Sequence, residues 1–277
     1  MKQIDKMTRN PNPPTQSLMA LRFNVSQQVI SYNIKKKLCK KLLKKPKCHH
    51  LGAKSIEKRR IRSWPLYLRL LQNRWMRFLT TDEAWFYISA SGGKTRVQYR
   101  SKNKKYSSFE VFTEESHKKG IMVAAGISAN GPTKAIFVEP GAKINADYYI
   151  NNVLKQYLKE SERLYPDGNF VFHQDSAPSH SAKKTLNFLQ DKKISLIKPS
   201  QWMPNSPDCA PCDYFLWGYL KRALNRRKVR TIQGLKKCIS EELKKVPQIF
   251  INRALRSWPK RCRHIYYNKG LQIENYK

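Results

Sequence analysis

Three short motifs place aspartates where hydrophobic segments of the chain end or change character. They are Thr80-Thr81-Asp82-Glu83, His173-Gln174-Asp175-Ser176 and Ser206-Pro207-Asp208-Cys209-Ala210-Pro211-Cys212-Asp213. The rest of the chain is strongly basic, with 55 Lys and Arg against 19 Asp and Glu and a net charge of +36. A basic protein that brings several carboxylates together usually holds a divalent metal, and the usual substrate of such a site is a phosphodiester.

Composition limits the class of protein further. The 277 residues can form one large domain, or a domain of about 200 residues with a small module. A hydrophobic content of 40% supports a real core. The positive field attracts polyanions, of which nucleic acid is the commonest and an anionic membrane surface is the rival. The longest apolar run, Ile121 to Ile127, is too short to span a bilayer, and the polar N-terminus does not resemble a signal peptide. We therefore expect an intracellular protein.

The six cysteines do not indicate a disulfide scaffold. Cys209 and Cys212 have CxxC spacing, and Cys48 precedes two histidines, but a structural zinc site normally needs two well-spaced pairs. We interpret these residues as incidental thiols.

The first segment, residues 1–38, has the pattern of a small DNA-binding module. Apolar residues at helical spacing run from Thr15 to Phe23, and Ser26 then caps a second helix, Gln27–Lys37, with Val29, Ile30 and Ile34 on its inner face. This arrangement predicts a helix-turn-helix. The residues expected to face base edges are Gln27, Gln28, Ser31 and Tyr32, and those expected to meet phosphates are Lys35, Lys36 and Lys37. A helical hairpin with a solvated basic face is the alternative.

Residues 39–76 form a basic connector and a helix. The run from Lys40 to Lys47 is a linker, a phosphate-tracking arm or a nuclear import signal, and the sequence does not separate these functions. A basic amphipathic helix is predicted from Ser55 to Trp75, kinked or divided at Pro65.

Residues 77–277 alternate between strands and helices. Strands are predicted at Phe78–Ser89, Thr95–Arg100, Gly120–Ser128, Lys134–Val138, Asn169–Asp175 and Ile194–Ile197. Helices are predicted at Asn145–Leu164, Ser179–Asp191, Asp213–Lys221, Thr231–Lys245 and Gln248–Tyr266. Hairpins followed by strand-helix units indicate an α/β fold with a mixed sheet flanked by helices.

The predicted strands and helices bring the aspartates toward one place in the fold. Asp82 lies within a strand, Asp175 ends another, and a third candidate begins a later helix. An isolated aspartate at a strand end is more often a turn-former or a helix cap. Three together would repel one another unless a cation joined them. Carboxylate ligands fit Mg²⁺ or Mn²⁺ better than Zn²⁺, and two such ions would support in-line displacement at phosphorus.

The three blocks resemble the signature motifs of mariner-superfamily transposases. The residues that carry the resemblance are Thr81-Asp82-Glu83-Ala84-Trp85-Phe86, His173-Gln174-Asp175-Ser176-Ala177-Pro178-Ser179-His180 and Asn205 to Tyr214. The N-terminal pattern around Val25-Ser26-Gln27-Gln28 is similar to the family's second helix-turn-helix, and Pro46 to Leu51 is similar to its linker motif. The resemblance extends from about Thr15 to the C-terminus.

The resemblance implies an RNase H-like catalytic domain whose Asp82, Asp175 and Asp213 are the catalytic metal ligands for two Mg²⁺ or Mn²⁺ ions. Asp208 competes with Asp213 for the third place, but it lies between two prolines in a loop that suits a turn. His180 and Glu83 are adjacent to the site, where we expect hydrogen bonding to a ligand, or packing, rather than direct catalysis.

The implied function is that of a DNA transposase, a metal-dependent endonuclease and strand transferase in the nucleus. Its implied partners are double-stranded DNA, at the transposon ends and a TA target, and a second copy of the chain in a homodimer on DNA. No membrane partner is expected. The family normally has another helix-turn-helix before Thr15, and the present module is expected to lack its own first helix, which implies an N-terminally truncated copy. Two alternatives remain, a truncated or host-adopted protein that only binds DNA and an RNA-acting nuclease on the same fold.

Overall fold

The computed structural model describes residues 1–10, 13–40, 51–88, 119–227 and 229–273. These fall into two compact units, Met1–Lys47 and Cys48–Lys277. The connector residues 41–47 and the strand predicted at Thr95–Arg100 lie outside the described residues.

The first unit contains helices α1 (Lys2–Thr8), α2 (Gln16–Arg22) and α3 (Gln27–Tyr32), the last extended by a π-helical turn, Asn33–Lys37. The hydroxyls of Thr15 and Ser26 cap α2 and α3 by accepting hydrogen bonds from backbone N–H groups. The buried core residues are Ile4, Met19, Ala20, Ile30 and Ile34. The two predicted helices and their turn are therefore present.

Two predictions for this unit are wrong. The module does not lack its first helix, because α1 occupies that place and its Ile4 is buried in the core. Only Ile4 and Met7 carry the apolar pattern of α1, which is too sparse for periodicity to reveal. Val29 is 44% exposed instead of lying on the inner face, since Ile30 and Ile34, one turn apart, already fill the core.

The second unit begins with α4 (Ala53–Leu70), which runs through Pro65 without dividing there. The proline removes only one backbone bond, to Ile61, whose side chain is 62% exposed, while Leu66 and Leu70 remain anchored in the core. The helix stops at Leu70, earlier than predicted, because Gln72 and Asn73 adopt left-handed φ angles of 56° and 60°. A short 3₁₀ turn, Arg74–Arg77, then leads into the sheet.

The described residues form a mixed sheet of five strands. The strands are β1 (Phe78–Tyr87), β2 (Gly120–Ser128), β3 (Gly131–Pro132), β4 (Ile136–Phe137) and β5 (Val171–His173). The main order is β3-β2-β1-β5, with β4 also paired to β2. Central β1 is antiparallel to β2 and parallel to β5. The strand predicted at Ile194–Ile197 is reduced to one parallel bridge between Phe172 and Leu196.

Helices cover both faces of this sheet. They are α5 (Ala146–Tyr148), a π-helical segment (Tyr149–Leu154), α6 (Lys155–Leu164), α7 (Pro178–Ser181), α8 (Lys183–Asp191), a π-helical turn (Cys212–Leu216), α9 (Trp217–Leu224), α10 (Ile232–Lys244) and α11 (Gln248–Tyr267). Phe78 and Val123 point into a core shared with α4, α9, α10 and α11. Their neighbours Leu79 and Ala124 point into a second core, shared with α6 and α8. This alternation follows from the pleat of the strands and produces the predicted mixed α/β architecture.

None of the described helices is long and apolar enough to cross a membrane. The thiols of Cys209 and Cys212 are buried in the core, where Cys209 lies 3.5 Å from Cys262 and Cys212 donates to the carbonyl of Thr80. The contacts of these two thiols are therefore with other groups of the protein core.

Candidate active site

Asp82 is held in the middle of β1 by contacts from two helices. Its Oδ2 accepts a 2.7 Å hydrogen bond from Nε1 of Trp217, and its carbonyl accepts one of 3.3 Å from the Tyr157 hydroxyl. Burial raises the pKa of the Asp82 carboxyl to about 6, and the nearby charge of Asp175 adds to that rise, while the Trp217 bond opposes it. Keeping the Asp82 carboxylate ionised at this buried position therefore costs free energy.

Asp175 lies beside Asp82 because of the sheet register. In the parallel pair β1–β5, Thr80 is opposite His173, so the chain carries Asp175 alongside β1 just beyond the end of β5. One Asp175 oxygen accepts hydrogen bonds from the backbone N–H of Ala177, at 2.9 Å, and from Nδ1 of His180, at 2.6 Å. Burial raises the pKa of Asp175, but the bonds from His180 and Ala177 outweigh it and hold that pKa below its ordinary value.

His180 connects two of the carboxylates. Its buried ring lies 2.6 Å from Asp175 through Nδ1 and 3.5 Å from Oε2 of Glu83 through Nε2. Burial lowers the pKa of His180, but the bond to Asp175 and the charge of Glu83 raise it above its ordinary value overall. Burial raises the pKa of Glu83 to about 7, and its Oε1 has no hydrogen-bond partner among the described residues. His180 therefore orients Asp175, in the manner expected of a residue adjacent to the site.

Asp213 lines the same site from a later element of the chain. It is exposed in the π-helical turn that precedes α9. Asp82, Asp175 and Asp213 all line one cavity of about 510 Å³. The loop from Trp202 to Pro207 forms much of the remaining wall. The structure thus places on one cavity the three aspartates that the sequence analysis predicted as metal ligands.

Asp208 has a different environment and does not line this cavity. Its carboxylate is buried in a two-pronged pair with Arg59, at 2.9 Å and 2.6 Å, and also accepts the backbone N–H of Ile273 at 3.0 Å. Arg59 additionally donates to the carbonyl of Gly270 and the hydroxyl of Ser206. These contacts join the motif loop to α4 and the C-terminal segment, which favours Asp213 as the third ligand.

Sequence reasoning missed two residues that shape the site. Trp217 follows Asp213 by one helical turn, a spacing that places both on one side of a helix and could have drawn attention to it. Arg59 gave no signal, because nothing in a basic helix distinguishes one arginine from its neighbours.

His173, within the second motif, has its Nδ1 at 2.8 Å from the Thr80 hydroxyl, and burial lowers its pKa to about 3. Its ring therefore stays neutral.

The donor set suits a hard divalent cation. Three carboxylates on one cavity offer the oxygen ligands that Mg²⁺ and Mn²⁺ prefer, and a cation would offset the raised pKa of Asp82. In the described part of the chain no three His, Cys, Asp or Glu side chains are grouped closely enough to hold an ion as they stand. Metal binding would thus require side-chain rotation, for which the exposed Asp213 and the Asp175 side chain, 49% exposed, have room.

In the first unit, the predicted DNA-contacting residues lie mostly at the surface. Gln27, Gln28 and Tyr32 are exposed, as are Lys35, Lys36 and Lys37, whereas Ser31 is half-buried. Gln27 accepts a 3.3 Å hydrogen bond from Ser17 of α2.

Comparison with known proteins places this geometry in context. No protein-family model matches the chain. The Mariner Mos1 transposase of Drosophila mauritiana is 22% identical over 284 residues, spanning 98% of this chain and 78% of that protein. The Tcb1 transposase of Caenorhabditis briggsae is 26% identical over 125 residues, 44% of each protein.

Solved structures give the same picture at the level of the fold. A Mos1 transposase paired-end complex with the left transposon end matches with a TM-score of 0.80 at 22% identity, covering 99% of this chain and 79% of that one. The Mos1 catalytic domain matches with a TM-score of 0.65 at 20% identity, covering 83% and 100%.

The fold and site define an RNase H-like α/β protein with three aspartates on one cavity, which confirms the predicted fold class. The sequence match extends over 98% of this chain, so the chain is similar to a mariner transposase along nearly its whole length. The resemblance drawn from the three motifs is confirmed.

Proposed function

We propose that this protein is a metal-dependent DNA endonuclease and strand transferase that acts on transposon terminal repeats. The observation that carries the proposal is the register of β1 and β5, which sets Asp175 beside Asp82 on a cavity that Asp213 also lines. The Mos1 homologue has structures in a paired-end complex and in a strand transfer complex, and others with Mn or Mg. These complexes support a divalent-metal DNA reaction for the present chain.

In this proposal Asp82, Asp175 and Asp213 would hold two Mg²⁺ or Mn²⁺ ions. The metal would supply charge stabilisation at the phosphate and lower the pKa of a bound water or 3′-hydroxyl. Before metal binds, two neighbouring side chains orient two of the carboxylates. Trp217 holds one Asp82 oxygen at 2.7 Å, and His180 holds one Asp175 oxygen at 2.6 Å. Both described bonds to Asp175 go to the same oxygen, so its other oxygen could bind the cation.

The basic surface supports double-stranded DNA as the substrate. A net charge of +36 draws in a polyanion, and Gln27, Gln28, Ser31 and Tyr32 are proposed to read base edges while Lys35, Lys36 and Lys37 contact phosphates. We extend the proposal to a homodimer on DNA, a TA target and a nuclear location. The paired-end complexes of the Mos1 transposase support the dimer.

Cleavage of labelled duplex DNA that carries the presumed terminal repeats tests this proposal. The full chain is assayed with Mg²⁺, with Mn²⁺ and with EDTA, beside Asp175→Ala. We expect nicking in either metal that disappears in EDTA and in the variant. Salt-sensitive binding without cleavage, unchanged by Asp175→Ala, would overturn the enzyme and leave the alternative of a DNA-binding protein.

A further inference from the structure

A second cavity, of about 550 Å³, lies between α9, α10 and α11. The cationic and aromatic side chains that line it are Tyr214, Phe215, Tyr219, Arg222, Arg226, Phe250, Arg253 and Arg261. We refer to it as the arginine cleft. The reaction proposed above assigns it no part.

The chain builds this cleft from two helical stripes. Phe215, Tyr219 and Arg222 recur at intervals of four and three residues from the π-helical turn into α9, and Phe250, Arg253 and Ser257 recur at intervals of three and four along α11. Such spacing places each set on one side of its helix. Facing stripes of a core seam would carry aliphatic residues, whereas these carry rings and guanidinium groups. The cleft is therefore suited to a ligand that is both anionic and planar.

Two side chains form a fixed floor. The Tyr214 hydroxyl donates a 2.8 Å hydrogen bond to the carbonyl of Ala254, and the Arg261 guanidinium lies over the Tyr214 ring at 3.9 Å from its centroid. Arg261 also donates to the carbonyl of Asp208 at 2.7 Å. These contacts hold the floor rigid before any ligand arrives.

The rim carries positive charge that the protein leaves largely uncompensated. Within the described ranges, none of Arg222, Arg226 and Arg253 forms an ion pair with a carboxylate, and all three are exposed. The acidic member of the lining, Glu242, is already paired with Arg227 outside it. An anionic ligand would thus meet several arginines and no unpaired carboxylate of the lining.

The rings indicate the chemistry of that ligand. Phe215 and Tyr219 lie 6.0 Å apart and half-buried, and Phe250 is 39% exposed on the opposite helix. Duplex DNA keeps its bases stacked inside, so rings within a cleft reach bases only where a strand is unpaired. One residue of the cleft, Tyr214, follows Asp213 of the proposed cleavage site directly in the same helical turn.

We propose that the arginine cleft binds an unpaired segment of the DNA substrate, with bases on Phe215, Tyr219 and Phe250 and phosphates on Arg222, Arg226 and Arg253. This inference rests on the proposed function, since it deepens the DNA binding of the same enzyme. The volume of the arginine cleft lies within the range of small-ligand sites. A cleft of this size has room for about one or two nucleotides.

Fluorescence anisotropy with the full chain tests the proposal, using a labelled single strand and a blunt duplex of the same sequence. Tyr219→Leu should weaken single-strand binding by about tenfold and leave duplex binding nearly unchanged, because only unpaired bases stack on the ring. The matched control is Tyr267→Leu, which removes an exposed ring of α11 outside the cleft.

The arginines are tested through salt dependence. Arg222→Gln with Arg226→Gln should lower the slope of log affinity against log salt for the single strand by about 1.4. Lys192→Gln with Lys193→Gln removes the same charge from exposed positions beyond α8 and should leave that slope unchanged. Equal losses for single strand and duplex in Tyr219→Leu, equal slopes in both double variants, or full competition by poly-glutamate would overturn the proposal.

Metal-dependent cleavage, assayed in parallel with Asp175→Ala, separates the two proposals. Cleavage that depends on Asp175 together with cleft variants that bind the single strand normally would refute the arginine cleft alone. Absent cleavage together with a selective loss in Tyr219→Leu would refute the nuclease and support the cleft.

Discussion

Nε1 of Trp217 donates a 2.7 Å hydrogen bond to Oδ2 of Asp82, although 135 positions separate the two residues. The bond joins the helix that follows Asp213 to the strand that carries Asp82, so one indole links two of the three aspartate-bearing segments. It also opposes the burial that raises the pKa of Asp82 to about 6. The orientation of the Asp82 carboxylate is therefore maintained by a side chain that carries no charge itself.

Replacing Trp217 by Phe should make cleavage more sensitive to acid. The phenyl ring keeps the edge contact with Phe86, but the lost donor allows the pKa of Asp82 to rise further, so less of the carboxylate is ionised near neutrality. We expect the cleavage rate at about pH 6.5 to fall by about tenfold and the rate near pH 8.5 to fall less. Single-turnover cleavage against pH measures this, with Trp64→Phe as a remote control. An unchanged profile would show that the indole does not tune Asp82.

Asp82→Asn should stabilise the metal-free protein at alkaline pH. The folded pKa of about 6 lies above the ordinary value of 3.8, so the folded state binds protons more tightly and loses stability as the pH rises through 6. Removing the charge should therefore raise the free energy of unfolding at pH 8 by about 1–2 kcal/mol, and the gain should fade below about pH 4. Urea denaturation in EDTA measures it. A destabilised variant at pH 8 would contradict the argument.

Asp208 and Asp213 should respond in opposite ways to the same substitution. Asp208→Asn weakens the buried pair with Arg59 and should lower the free energy of unfolding by about 3–5 kcal/mol. Asp213→Asn changes an exposed residue, so stability should stay within about 0.5 kcal/mol while cleavage is lost. Denaturation and cleavage of both variants separate fold from chemistry. A stable, inactive Asp208→Asn beside an active Asp213→Asn would reverse the assignment.

The first unit should separate base reading from phosphate binding. Gln28→Ala with Tyr32→Ala should reduce the preference for terminal-repeat DNA over random duplex by about 1–3 kcal/mol per lost base contact. Lys36→Gln should weaken both duplexes equally and lower the salt slope by about 0.9. Anisotropy titrations at several salt concentrations measure both effects, with exposed Lys2→Gln on α1 as the control. Equal losses on both duplexes in the Gln28 and Tyr32 variant would exclude base reading.

Strands and helices that depend on a local hydrophobic pattern could be predicted from the sequence. The strand at Phe78, the strand Gly120–Ser128 and the long C-terminal helix all follow from hydrophobic period, and each appears within two residues of its predicted bounds. The positions of Asp82 within one strand and of Asp175 at the end of another followed as well, because the hydrophobic segments mark where these strands lie.

Features that depend on distant partners were not predictable. The pairing of Arg59 with Asp208 joins residues 149 positions apart, and no local pattern marks either as buried. Helix α1 is stabilised because Ile4 packs in the core with residues of α2 and α3. The sparse apolar pattern of α1 does not predict this contact. The strand near Leu196 shortens to one bridge because local propensity does not fix how much of a segment pairs.

The central claim is that Asp82, Asp175 and Asp213 form one metal-dependent nuclease site. Its most direct test is single-turnover release of a labelled strand from terminal-repeat duplex in Mn²⁺, comparing the unsubstituted chain with each Asp→Asn variant and with the triple variant. Residues that act as a unit are not additive, so each single variant should lose at least about a thousandfold in rate and the triple variant little more. Cleavage that survives in any one single variant would contradict the shared site.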